Sequence, residues 1–86
     1  MRAAKVDLNQ PEIVAAFRKL GCCVMHAHTL GKGAPDLLVS RKGTVWMVEV
    51  KGPKGKLTPD QEVFHAVWPV HVVRSVDDVL ALVGAA

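Results

Sequence analysis

Pro35-Asp36-Leu37-Leu38-Val39-Ser40-Arg41-Lys42-Gly43-Thr44-Val45-Trp46-Met47-Val48-Glu49-Val50-Lys51 is the stretch on which the architecture turns. Two runs rich in β-branched and aliphatic residues flank the polar turn Arg41-Lys42-Gly43. Residues Asp36–Ser40 and Thr44–Val50 are therefore predicted to form an antiparallel hairpin. Side chains alternate along a strand. Thr44, Trp46, Val48 and Val50 then face one way, and Val45, Met47, Glu49 and Lys51 the other. In a tight hairpin the start of the first strand lies opposite the end of the second. Asp36, Glu49 and Lys51 are thus expected to meet at one corner of the sheet.

Reading outward from the hairpin, the loop Thr29–Pro35 is marked by its glycines and proline, and a short strand is expected before it over Cys22–His28. Further back, Ile13, Phe17 and Leu20 recur at helical spacing, with Pro11 in the first turn, Asn9 as a candidate cap and Gly21 past the end. This predicts a helix over 10–20. On the other side, Lys51–Leu57 reads as a basic loop. Thr58-Pro59-Asp60-Gln61 is a helix start with a capping box, the helix running to about Val67 and stopping before Pro69. A strand follows over Val70–Val73, then a helix over Val76–Val83 capped by Ser75, with Asp77 and Asp78 in its first turn. The order α-β-β-β-α-β-α implies an α/β sandwich around a mixed β-sheet, as one domain over residues 1–86.

Half of the 86 residues are hydrophobic, which excludes a disordered chain. No apolar run is long enough to span a bilayer, and Met1–Asp7 lacks the apolar stretch of a leader, so a cytoplasmic location is expected. Cys22 and Cys23 are adjacent, a poor arrangement for a relaxed disulfide, in keeping with a reducing compartment. Charge is unevenly spread: residues 31–56 carry six cations (Lys32, Arg41, Lys42, Lys51, Lys54, Lys56) against two acids, while Arg74 is the single Lys or Arg after residue 56. A basic middle points to a polyanion, nucleic acid above all. Lys32, Arg41, Lys42, Lys54 and Lys56 are the expected backbone contacts. No base-reading helix stands out, so selectivity for shape rather than sequence is expected.

Two carboxylates a few ångströms apart repel unless a cation lies between them. Mg²⁺ suits one or two carboxylates plus waters and a substrate phosphate oxygen. Such a site can polarise a phosphodiester and supply a hydroxide-like water, with Lys51 orienting that water or offsetting charge on the phosphorane. Cys22, His26 and His28 share a strand face but lack the paired spacing of a structural zinc site. His26 and His28 stand near the Gly31–Pro35 loop, where nucleic acid could pass. Trp46 and Trp68 are read as core residues before base-stacking ones.

Pro35-Asp36, twelve intervening residues, then Glu49-Val50-Lys51 resembles the Pro-Asp…(Asp/Glu)-X-Lys nuclease motif. The chain is most similar to the VRR-NUC family of that superfamily, in its compact stand-alone form known from phages. The shared runs are Gly33–Val39, Val48–Lys51 and Gly55–Gln61, with Val72-Val73-Arg74-Ser75 near the end. The resemblance implies a Mg²⁺- or Mn²⁺-dependent DNA endonuclease. Its metal ligands would be Asp36, Glu49, the Val50 carbonyl and a first-helix Glu, for which Glu12 stands at the expected place. Gln61 matches the family's glutamine after the Lys. The resemblance further implies a homodimer acting on branched DNA, above all four-way (Holliday) junctions. The apolar last helix, which needs cover on two sides, adds to that expectation. The competing readings are a monomeric flap or nicking nuclease and a non-catalytic nucleic-acid-binding module on the same fold.

Overall fold

The computed structural model describes residues 7–85; Met1–Val6, read above as leaderless, lie outside them. The elements are α1 (Gln10–Lys19), β1 (Cys23–His26), a 3-10 turn (His28–Leu30), β2 (Leu37–Arg41), β3 (Thr44–Val50), α2 (Pro59–Val67), β4 (Val70–Val73) and α3 (Val76–Gly84). The expected α-β-β-β-α-β-α order is the observed one. The four strands form one mixed sheet in the order β1-β2-β3-β4, antiparallel from β1 to β3 and parallel between β3 and β4.

The hairpin closes tightly, with Arg41 opposite Thr44. Lys42 (φ 49°) and Gly43 (φ 84°) both sit in the left-handed region. Two such residues make the turn type whose twist matches that of the flanking strands. The register then runs back to Leu37 opposite Val48, which brings Asp36 beside Glu49.

Alternation along β3 sorts the two faces. Trp46, Val48 and Val50 are buried with Leu37, Val39 and Val73 against Ile13, Val14 and Phe17 of α1 and Val79 and Val83 of α3. Helices α1 and α3 also pack on each other. Phe17 is fully buried in this layer, where truncation of a Phe typically costs about 3–5 kcal/mol. Glu49 points to the other face, and Gln61 reaches it from the start of α2, so α2 begins over that second face. No residue of α2 is buried, and Met25 and Val45 on the sheet beside it are each 63% exposed.

Several expectations are corrected. The first strand is Cys23–His26 rather than Cys22–His28, because after Ala27, whose amide still donates to the Asp36 carbonyl (2.7 Å), the chain enters the 3-10 turn, the Leu30 amide bonding the Ala27 carbonyl (3.0 Å). The second strand is Leu37–Arg41, one residue later than expected. Asn9 stands at the N-cap position of α1, but its side chain makes no capping bond. Its Nδ2 instead donates to the carbonyls of Lys51 and Arg74, 3.2 Å each, tying the helix start to the end of β3 and the residue after β4. Helix α3 buries Val79 and Val83 and leaves mainly Leu80 half exposed. More exposed than Leu80 are Met25 and Val45 on the sheet, Val63 and Val67 on α2, and Trp68 just after it. Trp46 is a core residue as expected, whereas Trp68 is 50% exposed and stacks on Phe64. Among the described residues no helix is long and apolar enough to cross a membrane.

Candidate active site

A cleft of about 310 Å³ opens where the hairpin's free end meets the start of α2. It is lined by Asp36, Glu49, Lys51 and Gln61, joined by Asp7, Asp60 and the Gly31–Ala34 loop. Asp36 enters just before β2 and is 92% buried, since 8% of it is exposed. Its Oδ2 accepts from the Val50 amide at 2.8 Å, which locks the carboxylate across the strand pair. Glu49 is 2% exposed. Its Oε2 accepts from Gln61 Nε2 at 3.0 Å and lies 3.7 Å from Lys51 Nζ. Its Oε1 is buried and has no hydrogen-bond partner.

Gln61 performs two tasks at once. Its Oε1 accepts from the Thr58 amide (2.9 Å), while the Gln61 amide donates to Thr58 Oγ1 (3.2 Å), completing the capping box. That leaves Nε2 free for Glu49. The same cap that starts α2, a feature typically contributing about 1 kcal/mol, therefore aims the amide at the carboxylate.

Burial pushes the Glu49 carboxyl up to about 8. The neighbouring Asp36 carboxyl adds to this, Lys51 opposes it, and Asp7 adds again. Glu49 is thus an acid whose ionised form this pocket disfavours until positive charge arrives. His65, one turn along α2 from Gln61, is held below the usual histidine range by burial and then by Lys51.

The donor set fits a hard divalent cation. It offers two adjoining carboxylates, one with an orphaned buried oxygen, and a neighbouring backbone carbonyl at Val50. No group of three His, Cys, Asp or Glu side chains among the described residues could by itself hold an ion. An ion here would keep waters or take substrate oxygens, as Mg²⁺ does.

Glu12 is not brought to the cleft. The buried side of α1 is Gln10, Ile13, Val14 and Phe17, which leaves Glu12 on the exposed side of the helix. Asp7, which precedes the helix, lines the cleft instead. The basic residues divide. Lys32 stands between two cleft-lining glycines, and Lys54 and Lys56 lie on the exposed loop between Lys51 and Thr58. Arg41 and Lys42 sit at the turn, five residues along β2 from Asp36, about 16 Å away at strand rise.

Three supports were not foreseen. Arg74 Nη1 donates to the carbonyls of Gly52 (2.8 Å) and Gly55 (2.7 Å), pinning the basic loop. Asn9 holds the Lys51 carbonyl. Gly33 (φ 81°) lies so close to the backbone of Asp60 and Gln61 that a Cβ would collide with the start of α2. Sequence signals existed for two of them: Gly33 opens one of the runs shared with the family, and Arg74 lies in another and is the single Lys or Arg after residue 56.

A buried carboxylate pair with a flanking lysine thus stands at the open end of a hairpin in this mixed sheet. The chain belongs to the VRR-NUC domain family, whose model matches residues 3–71. It is similar to a solved VRR-NUC domain structure with 31% identity and a TM-score of 0.71, covering 91% of this chain and 97% of the other. No curated protein matches the chain. VRR-NUC domains are nuclease domains, which implies DNA as the substrate.

Proposed function

We propose that the chain is a Mg²⁺- or Mn²⁺-dependent DNA endonuclease whose metal would be held by Asp36, Glu49 and the Val50 carbonyl. The observation that carries this is the Glu49 carboxyl, buried beside Asp36 with Oε1 unpartnered in an open cleft. Bound there, the ion supplies Lewis acidity to the scissile phosphate and a water of lowered pKa. The chain's own residues do the rest. The Val50 amide fixes Asp36, and Gln61 and Lys51 hold Glu49 Oε2, so that the other carboxylate oxygen stays free. Lys51 lines the cleft and offsets charge on the phosphoryl oxygens. Asp7 supplies a third carboxylate on the side where Glu12 was expected. Lys32, Lys54 and Lys56 hold the DNA backbone without reading sequence.

The finer reading is a homodimer that resolves four-way junctions. The uncovered surface on the α2 side supports a partner subunit. A shallow apolar groove there is formed by Cys23, Met25, Leu38 and Val45. A second copy related by a twofold axis would bury the groove and place two sites for paired nicks. Light scattering tests the first half: a mass of two chains is expected, and a mass of one contradicts it. Cleavage of a four-way junction beside linear duplex and flap DNA, in Mg²⁺ and in chelator, tests the second. Symmetric, metal-dependent nicks at the junction are expected. Equal rates on all three substrates would leave a general nuclease, and binding without cleavage in any metal would leave the non-catalytic module.

A further inference from the structure

We propose that a hollow beside the cleft, lined by Arg18, His26, His28 and Gln10, seats a backbone phosphate of the DNA strand that crosses the site. This rests on the nuclease reading and names a subsite for it. The hollow measures about 370 Å³ and lies between one side of α1, from Gln10 to Arg18, and the end of β1 with His28 just beyond it. His28 lines both it and the cleft, so the two cavities adjoin across one imidazole.

Their chemistry is opposite. The cleft holds Asp7, Asp36, Glu49 and Asp60 against Lys51. The hollow holds Arg18, two histidines and an amide, with no carboxylate, and Pro11 and Val14 complete its wall. A strand whose scissile phosphate sits in the cleft meets a surface of donors on passing His28. Arg is suited to phosphate by its fork of N–H groups, and a neutral or charged imidazole donates at one nitrogen at least.

Two polar atoms in the hollow's wall lack partners. Gln10 is 3% exposed and its side-chain oxygen is buried without a hydrogen bond. His28 Nδ1 is likewise buried and unpaired. Buried polar groups are ordinarily satisfied. The Gln10 amide can turn its NH₂ inward and His28 can carry its proton on Nδ1, so both can donate to one anionic ligand. His26 stands edge-on to His28, ring centres 6.3 Å apart at 87°, which holds the pair of rings as a corner. The 3-10 turn that presents His28 follows from the Leu30–Ala27 hydrogen bond. No third His, Cys, Asp or Glu joins the two histidines among the described residues, so the cluster suits an anion better than a metal.

The test measures binding, which needs no cleavage. Anisotropy of a labelled four-way junction is followed across salt for the wild type, Arg18→Ala, His26→Ala and His28→Gln, with thermal melts to confirm folding. Arg18 and His26 are exposed, so their variants should fold. One lost phosphate contact should weaken binding about tenfold and reduce the slope of log K against log salt by about one. A methylphosphonate placed near the cut should weaken wild-type binding at one position and cost nothing more in Arg18→Ala. Unchanged affinity and slope in both Arg18→Ala and His26→Ala overturn the proposal. Stabilisation of the wild type by inorganic phosphate through Arg18, with DNA binding unaltered in the variants, also overturns it in favour of a free-anion site. Wild-type protein that binds DNA but never cuts it defeats the nuclease reading while this binding comparison still decides the hollow.

Discussion

The two ends of one hairpin face opposite physical problems. At the turn, Arg41-Lys42-Gly43-Thr44 is solvated and basic, and its backbone closes on itself; the strain it carries is Lys42 in the left-handed region. At the open end, Asp36 and Glu49 are buried acids. The hairpin supplies Asp36 with the Val50 amide, but Glu49 takes its hydrogen bond from Gln61 of α2 and keeps one buried oxygen without a partner. Natural folds keep such poorly satisfied groups where function needs them. The comparison teaches that the proposed chemistry lies where the sheet's own bonding leaves a buried group unpaired.

The largest expected effects come from the open end. Asp36→Ala, Glu49→Gln and Lys51→Ala should each lower cleavage about a hundredfold or more, a few kcal/mol of barrier, with circular dichroism unchanged. Asp7→Asn should fall between these and the wild type, while Glu12→Gln should cleave normally. Plasmid nicking rates measure all five, and a damaging Glu12→Gln with a silent Asp7→Asn would reverse the placement of α1.

Gly33→Ala comes next. The added methyl group meets the Asp60 and Gln61 backbone at a left-handed residue, so the start of α2 must shift and carry Gln61 off Glu49. A loss of about 1–3 kcal/mol of stability is expected, in the range of overpacked sites, along with a fall in cleavage at temperatures where the protein remains folded. Gly43→Ala tests the other end. It strains its own turn but has open space around it, and should spare cleavage.

Acidity distinguishes the ends as well. Glu49 titrates near 8 in the fold against an ordinary value of 4.5, so the metal-free folded state holds the extra proton. Its stabilising contribution is complete below about pH 4.5 and is lost as pH rises toward 8. In chelator, the melting temperature should therefore fall between pH 5.5 and 8.5. Divalent metal should restore it most at the alkaline end, and Glu49→Gln should flatten the difference. His65, with its lowered pKa, works in the opposite direction near pH 6.5, so the comparison of wild type with Glu49→Gln isolates the carboxyl.

The smallest effect belongs to the turn. Lys42→Asn should raise stability by up to about 1 kcal/mol, because Asn tolerates the left-handed region better; a melting curve detects this. No change would mean that the turn carries no strain.

Local signals made most of this fold legible. Runs of β-branched and aliphatic residues about a turn placed Thr44–Val50, Val70–Val73 read as a short strand after Pro69, and Thr58-Pro59-Asp60-Gln61 announced α2 with its cap. The meeting of Asp36, Glu49 and Lys51 followed from hairpin geometry and alternation. What stayed hidden depends on contacts between distant segments. The phase of α1, which turns Glu12 outward, is set by the packing of Ile13 and Phe17 rather than by its first turn. Asn9 reads as a cap because no local pattern shows that the Lys51 and Arg74 carbonyls lie within its reach. The end of β1 is set by the 3-10 turn that follows Ala27, and Gly33 becomes indispensable only when α2 is beside it. The basic residues show the same dependence on the fold: one charged stretch of sequence is divided between two ends of the sheet.

Titration of Mn²⁺ by calorimetry into the wild type and Glu49→Gln, without DNA, tests the central claim most directly. The buried Asp36–Glu49 pair should bind the ion in the wild type, with proton release at neutral pH, and Glu49→Gln should lose the binding while keeping its fold. Equal binding by both proteins, or none by the wild type in the presence of DNA as well as in its absence, would contradict the assignment of this corner as the metal-dependent site.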